Sequence, residues 1–560
     1  MTSPSAASEA SAAATGRDST AWLASCSAFA VALLLLGAML WTSLEKNLVS
    51  TLSQQGWTRE LYGISAAMTK MRFGIGGSAI DRRIFDTLKG AGFAQDLPPE
   101  LNVRFPDNLR DAQLLQSALV RAQTIDLPPP APADIHGDYG DLMGFAGEDT
   151  GLGTYTYLAF RTFGVNIPAL TYLYFVIVTV SLVLYGIGHW RSVGAMIAVV
   201  AVTLALYAVV CADFVNFLSN SRFFNGPGID LKDPRFLGTL AAIPLLHVIV
   251  MWTRPRYRLG PLDYGVVVLQ AAIFAFALQI RSPVVWAVLA LSAFWLTIAA
   301  LALRRGRSLR SLGDWRQSRS AFVLVAFLVV LFSGQILATV TLHPLYGVQG
   351  DVPRHMFWQG MLTSLQINPK WEAKYLASVD NYKGDMMPEE VARVAIMKLP
   401  PEERQQYLRG DGWPRRTALE KFTRIAFFDF LRSDPGFVAH TFFVTKPFWA
   451  WRALRQFFGG LFSGLPIWNV LIPAAAVVFL AILVAWNADA RATLLPTLRV
   501  IPFLIIFSWL PNWLVLPNPL VMVDNFVWIV VFLVLLLAIV AAAGVRFAEG
   551  AQRRAAVFRS

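Results

Sequence analysis

Four carboxylates fall within fourteen residues in the stretch HGDYGDLMGFAGED, His136 to Asp149: Asp138, Asp141, Glu148 and Asp149. A partly desolvated carboxylate is a better proton acceptor near neutral pH, so acids in such a strip can act as general bases. Asp138 is the first choice for that catalytic role and Asp141 the second. Glu148 and Asp149 are assigned to substrate binding, where they could orient an acceptor or hold a divalent cation through oxygen ligands. The same Gly, Asp and Tyr residues also suit solvated turns, with Asp149 capping the helix that follows. Cations complete the chemistry. Arg161, Arg354 and His355 are candidate substrate-binding residues, because a planar guanidinium matches the oxygens of a phosphate. Lys370, Lys446 and His343 are weaker candidates, and Arg161 could equally snorkel toward lipid headgroups.

The elements that position these residues belong to a membrane. Of 560 residues, 56% are hydrophobic and 15% charged, and the mean hydropathy is +0.51. Soluble domains carry about a quarter charged residues. The net charge of +12 does not imply nucleic acid, since most surplus Arg sits in short spacers between apolar runs, where it orients helices. Cys26 and Cys211 both lie inside apolar segments, which leaves no disulfide framework and no zinc-type spacing. No cofactor is implied beyond the divalent cation that the acids allow.

Apolar stretches of spanning length occur at Trp22 to Trp41, Ile167 to Ile187, Gly194 to Ala212, Phe236 to Trp252 and Tyr264 to Ile280. Further stretches follow at Val284 to Leu303, Ala321 to Leu342, Pro466 to Trp486, Val500 to Leu516 and Val521 to Val545. The expected fold is therefore an all-α polytopic membrane protein of about ten transmembrane helices with two large extracytoplasmic loop subdomains. The first span lacks a small-residue cleavage site and reads as a retained helix rather than a signal peptide.

Arg191, Arg254, Arg256, Arg258, the block Arg304 to Ser320, Arg491, Arg499 and Arg546 occupy alternate gaps. That pattern puts both termini in the cytoplasm. The expected order is a disordered tail over 1–21, helix one over 22–41, an outer loop over 43–166 and helices two to seven over 167–342. A second outer loop over 343–465, helices eight to ten over 466–545 and a tail over 546–560 complete it. KPFWAWRALRQFF, after Thr445, suits an interfacial segment. The four prolines between Ile501 and Pro519 predict a kinked or partly re-entrant helix nine. Asp213, His247, Asp263 and Asp524-Asn525 lie inside or at the edges of spans, with His247 the deepest.

The acidic strip is followed by GLGTYTYLAFRTFGVNIPALTYLYF, an interfacial helix passing through Phe163-Gly164 into the second span. This resembles the GT-C class of membrane glycosyltransferases, in which an outer-loop acid precedes a juxtamembrane helix and a Phe-Gly-type turn. Large loops after helices one and seven are similar to those of the protein mannosyltransferase and aminoarabinose transferase branch. Asp138-Tyr139 and Asp141-Leu142 stand for the acidic motif of that class. The acid lies farther from helix one than in that class, and Gly151-Leu152-Gly153 replaces its Pro-Pro-Leu.

The resemblance implies transfer of a sugar from a polyprenyl-phosphate donor to a cell-envelope glycan, lipid or protein acceptor at the outer face of a bacterial-type cytoplasmic membrane. Membrane lipid, the polyprenyl-phosphate-linked sugar and a glycan or lipid acceptor would be the partners, and nucleic acid would not. A transporter or flippase of an amphiphile, and a non-enzymatic protein binding partners through its outer loops, are the competing classes. Clustering of polar residues in the long loops favours the enzyme over a midplane transport site. No Walker motif, dinucleotide fingerprint or Ser/His/Asp constellation is present.

Overall fold

Apolar runs of this length satisfy their backbone polar groups internally by forming helices, and the computed structural model describes such helices over most of its length. It describes residues 4–45, 49, 57–88, 112–131, 140–144, 150–211, 231–253, 260–304, 315–348, 357–371, 386–408, 414–462, 467–514 and 523–557. The helices are α1 (Pro4–Glu45), α2 (Trp57–Phe73), α3 (Arg82–Leu88), α4 (Ala112–Thr124), α5 (Gly151–Phe163), α6 (Pro168–His189) and α7 (Val193–Cys211). Next come α8 (Pro234–Thr253), which contains a 3-10 turn at Gly238–Ala241, α9 (Pro261–Ile280), α10 (Val285–Arg304) and α11 (Trp315–Val340). The chain continues through α12 (Phe357–Thr363), α13 (Met386–Met397), α14 (Arg416–Ser433), α15 (Lys446–Phe462), α16 (Ile467–Trp486), α17 (Ala488–Leu514) and α18 (Val523–Val557). Among the described residues, the only sheet is an antiparallel pair, β1 (Ile80–Asp81) with β2 (Leu142–Met143), in the register Ile80 to Met143.

Seven segments are long and apolar enough to cross a membrane: Thr20–Glu45, α6, α7, α8, α9, Ala490–Leu510 and Val523–Gln552. Three shorter apolar helices, Ser282–Ile298, Phe327–Val340 and Val470–Trp486, accompany them. The protein is a predominantly helical, multi-pass membrane protein. The side chains of α6 show why water is the wrong solvent for it. Tyr172, Val176, Val180, Val183 and Ile187 are exposed along one face, while Tyr174, Ser181, Leu182, Tyr185 and His189 are buried on the other. Such an apolar stripe is stable against hydrocarbon. Helix α7, which has no charged residue, is buried along its whole length at the centre of the bundle, packed by α1, α16, α17 and α18.

Two ends of the bundle are defined by side-chain contacts. At one, Gly194 of α7 lies so close to Ala490 and Thr493 of α17 that a Cβ would meet the Ala490 carbonyl oxygen at 2.9 Å. There Arg546 donates through Nε and Nη2 to the Ala485 carbonyl at 3.1 and 2.6 Å, closing the carboxyl end of α16 as a cation should. The other end carries the long loops. Part of the second loop is a small helical body in which α12 and α13 pack on α14 around Leu362, Leu365, Trp371, Phe427 and Phe437.

Two expectations meet a different local structure. The Ala/Ser-rich tail is helical from Pro4 and continuous with the first span, consistent with the high helix propensity of Ala. Helix α17 runs unbroken from Ala488 through Pro502 to Leu514, so the prolines up to that point do not terminate it. A π-helical turn, Thr441–Thr445, precedes α15 instead. Such turns insert one extra residue and re-aim the side chains that follow.

Candidate functional site at the loop-bearing end

Helix α2 is the scaffold of the first loop. It packs side by side with α5, at Gly63 against Leu152 and Ala66 against Gly153, with the Lys70 ammonium 4.2 Å from the Tyr157 ring centroid. Contacts that advance together along both helices make the pair parallel. The amino end of α5 and the hairpin after α2 form a joint with the start of the second loop. Gly77, at φ 67°, approaches so closely that a Cβ would lie 2.3 Å from the His343 nitrogen. The His343 N–H donates to the Gly77 carbonyl at 3.2 Å, and the Tyr346 hydroxyl donates to the Ser78 carbonyl at 2.8 Å. Ser78 Oγ donates in turn to the Thr150 carbonyl at 2.8 Å. Three distant chain segments are thereby tied at the head of α5. Burial holds the His343 imidazole below the usual histidine range, and its Nδ1 accepts from the Leu345 N–H at 3.2 Å.

Asp141 immediately precedes β2, whose Leu142 stands opposite Asp81 of β1, and the Asp81 N–H donates to Thr69 Oγ1 near the carboxyl end of α2 at 2.8 Å. The Asp141 carbonyl accepts from the Arg82 N–H at 2.8 Å, and its carboxylate lies 3.2 Å from Arg83 Nη1. The same guanidinium grips the fully buried Asp81 through Nε at 3.0 Å and Nη2 at 2.6 Å. The hydrogen bond that Arg83 donates to Asp81 is the main reason its guanidinium is held above its ordinary value, with the charges of Asp81 and Asp141 adding to it against desolvation. Asp141 is thus part of a carboxylate–guanidinium–carboxylate tie whose inner half fixes the hairpin.

Arg161 is exposed in the last turn of α5, at the carboxyl end of the α2/α5 pair. Among the described residues it forms no ion pair, with Asp141 or any other carboxylate. It shares that end with Lys70 and Arg72, in the last turn of α2, where cations offset two helix carboxyl ends. Just beyond, Gly164 takes φ 86° and turns the chain into α6.

Against this turn lies a cleft of about 520 Å³, open space at its mouth included, lined by Met68, Met71, Arg72, Ala122, Gln123 and Val165. Arg72 Nη2 donates to the Leu127 carbonyl at 3.3 Å, but Nη1 is buried with no hydrogen-bond partner. A buried cationic donor without an acceptor costs free energy and is suited to an anion that supplies one.

Asp138, Glu148, Asp149, Arg354 and His355 lie outside the described residues. Lys370 is exposed. Lys446 is fully buried: its Nζ donates to the Leu514 carbonyl at 2.7 Å and lies 3.5 Å from the Phe442 ring centroid. Burial pushes this amine down to about 6. Sequence reasoning missed Arg72, Arg83 and Arg281. The first two had a weak signal, as charges flanking Gly74 and Gly77. Arg281 had a better one, because it separates two apolar helices at the end opposite the other interhelical Arg groups.

No group of three or more His, Cys, Asp or Glu side chains able to hold a metal occurs among the described residues. Comparison of the chain with models of known families, with curated proteins and with solved structures returns no match.

Proposed function

We propose that this chain is a glycosyltransferase-like integral membrane protein that moves a sugar from a polyprenyl-phosphate donor to a cell-envelope glycan, lipid or protein acceptor. The observation that carries the reading is the unpartnered Arg72 Nη1 at a cleft beside the turn into α6. It lies at the same end of the α2/α5 pair as Lys70 and Arg161. A phosphate group there meets several cations at the level where a lipid head would sit.

In this reading the seven long and three short apolar helices make ten spans. The end capped by Arg546 and Arg491 faces the cytoplasm, and the loop-bearing end is external. The acceptor hydroxyl oxygen attacks the anomeric carbon, and its proton passes to a carboxylate, with Asp138 the first choice and Asp141 the second. The bond from the anomeric carbon to the phosphate oxygen breaks, and the electron pair leaves with the polyprenyl phosphate. Arg72 and Arg161 meet the charge that develops on that phosphate. Glu148, Asp149, Arg354 and His355 serve acceptor and donor binding, and a divalent cation would sit at the acids if one is used.

The deciding experiment measures the surface-glycan profile of a deletion strain complemented with the wild type, with Asp138→Asn or with Arg72→Ala. Loss of the base should lower transfer by roughly 10² to 10⁴ while insertion and expression stay unchanged. An unaltered profile in the deletion strain, with no second enzyme covering the loss, would reject the reading.

A further inference from the structure

A second cleft lies where α8, the α9–α10 joint, α17 and α18 converge. It holds about 420 Å³, open space at its mouth included, and Thr239, Leu245, Val284, Leu504, Ser508 and Asp524 are among its lining residues. Trp528, only 4% exposed, and Val527, 1% exposed, complete an apolar wall. Val285, next in sequence to Val284, and Ile506, on α17 between Leu504 and Ser508, are exposed apolar residues on the same helices.

Two of the three polar groups at this cleft are already committed. Thr239 Oγ1 donates to the Phe236 carbonyl at 2.7 Å and meets the Tyr174 hydroxyl at 2.9 Å. Ser508 Oγ lies 2.6 Å from both the Leu504 carbonyl and Asn525 Oδ1. Asp524 differs. Its carboxylate has no hydrogen bond or ion pair with any described residue, although it stands among apolar side chains. A carboxylate can accept about four hydrogen bonds, and the half-buried Asp524 keeps that capacity open to the cleft. Arg281, itself buried, acts on Asp524 electrostatically, and its side chain is wedged against Gly238 at the rim.

We propose that this cleft binds an uncharged amphiphile with a hydroxyl-rich head, of the glycerol or sugar type. Its hydroxyls donate to Asp524 and its chain lies along Val284, Leu504 and Val527. The charges select this class. An anionic head meets the like charge of Asp524, and the positive charge of Arg281 that would draw it in is already the counter-charge of that carboxylate. An ammonium head gains from Asp524 but is opposed by Arg281, which already supplies the counter-charge. A neutral polyol takes the acceptor capacity and adds no charge. The site uses none of the acids or cations of the loops, and it stands whether or not the chain transfers sugar.

The test uses the full chain in phosphatidylcholine nanodiscs with a monoacylglycerol probe carrying a diazirine in its acyl chain, and mass spectrometry of the labelled peptides. Labelling should fall on α17 and α18 around Leu504 and Val527. Unlabelled monoolein and octyl glucoside should compete, and oleic acid, oleylamine and oleyl alcohol should not at equal concentration. Asp524→Leu should weaken probe binding by roughly 10- to 100-fold, the range for hydrogen bonds to a charged group. The wild-type competition series decides the matter even if that variant folds poorly. Labelling elsewhere, equal competition by oleyl alcohol, preference for oleylamine, or an Asp524→Leu variant that binds as well as the wild type would overturn the proposal. A normal glycan profile together with specific cleft labelling would separate this inference from the transfer reading.

Discussion

The His343 N–H donates to the Gly77 carbonyl at 3.2 Å, and this backbone contact, beside the Tyr346 hydroxyl on the Ser78 carbonyl, joins the two long loops at the head of α5. It is possible only because residue 77 has no side chain, since a Cβ would fall 2.3 Å from the His343 nitrogen and 2.6 Å from the Thr341 carbonyl oxygen. The neighbouring Gly76 has nothing within 4 Å of its Cβ position.

Gly77→Ala should therefore destabilise the protein by about 1–3 kcal/mol or more, from strain at positive φ plus the backbone clash. It should also speed protease cleavage in both loops. Gly76→Ala should leave both measurements nearly unchanged. Equal thermal midpoints for the two variants in detergent would mean that the loop joint does not hold the structure.

The tie around Arg83 separates two acids by burial. Asp81→Ala removes a buried carboxylate that accepts from the Arg83 N–H and guanidinium and should cost about 1–3 kcal/mol. Asp141→Asn loosens a half-exposed pair and should cost no more than about 1 kcal/mol. If Asp141 is also the proton acceptor, that same mild variant should lower transfer by roughly 10² or more. Thermal midpoints and transfer rates measured on one set of variants distinguish the roles.

At Arg72, replacement by Ala should raise the concentration of lipid phosphate needed for binding, with Arg72→Lys restoring part of the loss because an ammonium lacks the planar fork. Binding of polyprenyl phosphate to purified protein is the readout. If Arg72→Ala binds as the wild type does, the cleft is not a phosphate site.

Lys446 predicts a pH dependence of stability. Its folded-state value of about 6 lies below its ordinary 10.5, so the unfolded chain binds more protons between those limits. Stability should rise with pH through that window, by at most about 1.4 kcal/mol per unit. Below it the contribution is flat and at its least favourable. Lys446→Met should lack this component, so the difference in thermal midpoint between variant and wild type should narrow as pH is raised. A pH-independent difference would mean that the amine stays charged in the fold.

Within the bundle, the His189 and His247 rings lie 4.6 Å apart by centroids, with Tyr185 4.6 Å from His189. Gly188 allows this, because a Cβ there would lie 2.8 Å from His247 Cε1. Gly188→Ala should cost roughly 1–3 kcal/mol as overpacking, seen as a lower thermal midpoint, and Gly188→Ala combined with His247→Ala should recover part of it. No recovery would place the strain elsewhere.

The sequence by itself determined the solvent and the periodicity of this protein. Runs such as Val193 to Cys211 have no charge to spend on water, and backbone hydrogen bonding in hydrocarbon permits little but helix. It also marked α5, its Phe163-Gly164 turn and the Arg groups that close one end of the bundle. It did not determine which polar groups meet. Asp141 and Arg161, both candidates from residue type, do not pair: Asp141 joins Arg83, and Arg161 stands exposed in the last turn of α5. Arg72 and Asp524 drew their importance from partners they lack, and a missing partner is invisible along a chain. The joint of Gly77 with His343 likewise depends on two segments with most of the bundle between them in sequence. Helix formation is local, so composition settles it; pairing and burial of polar groups are decided by which helices pack together, and only the tertiary structure specifies that.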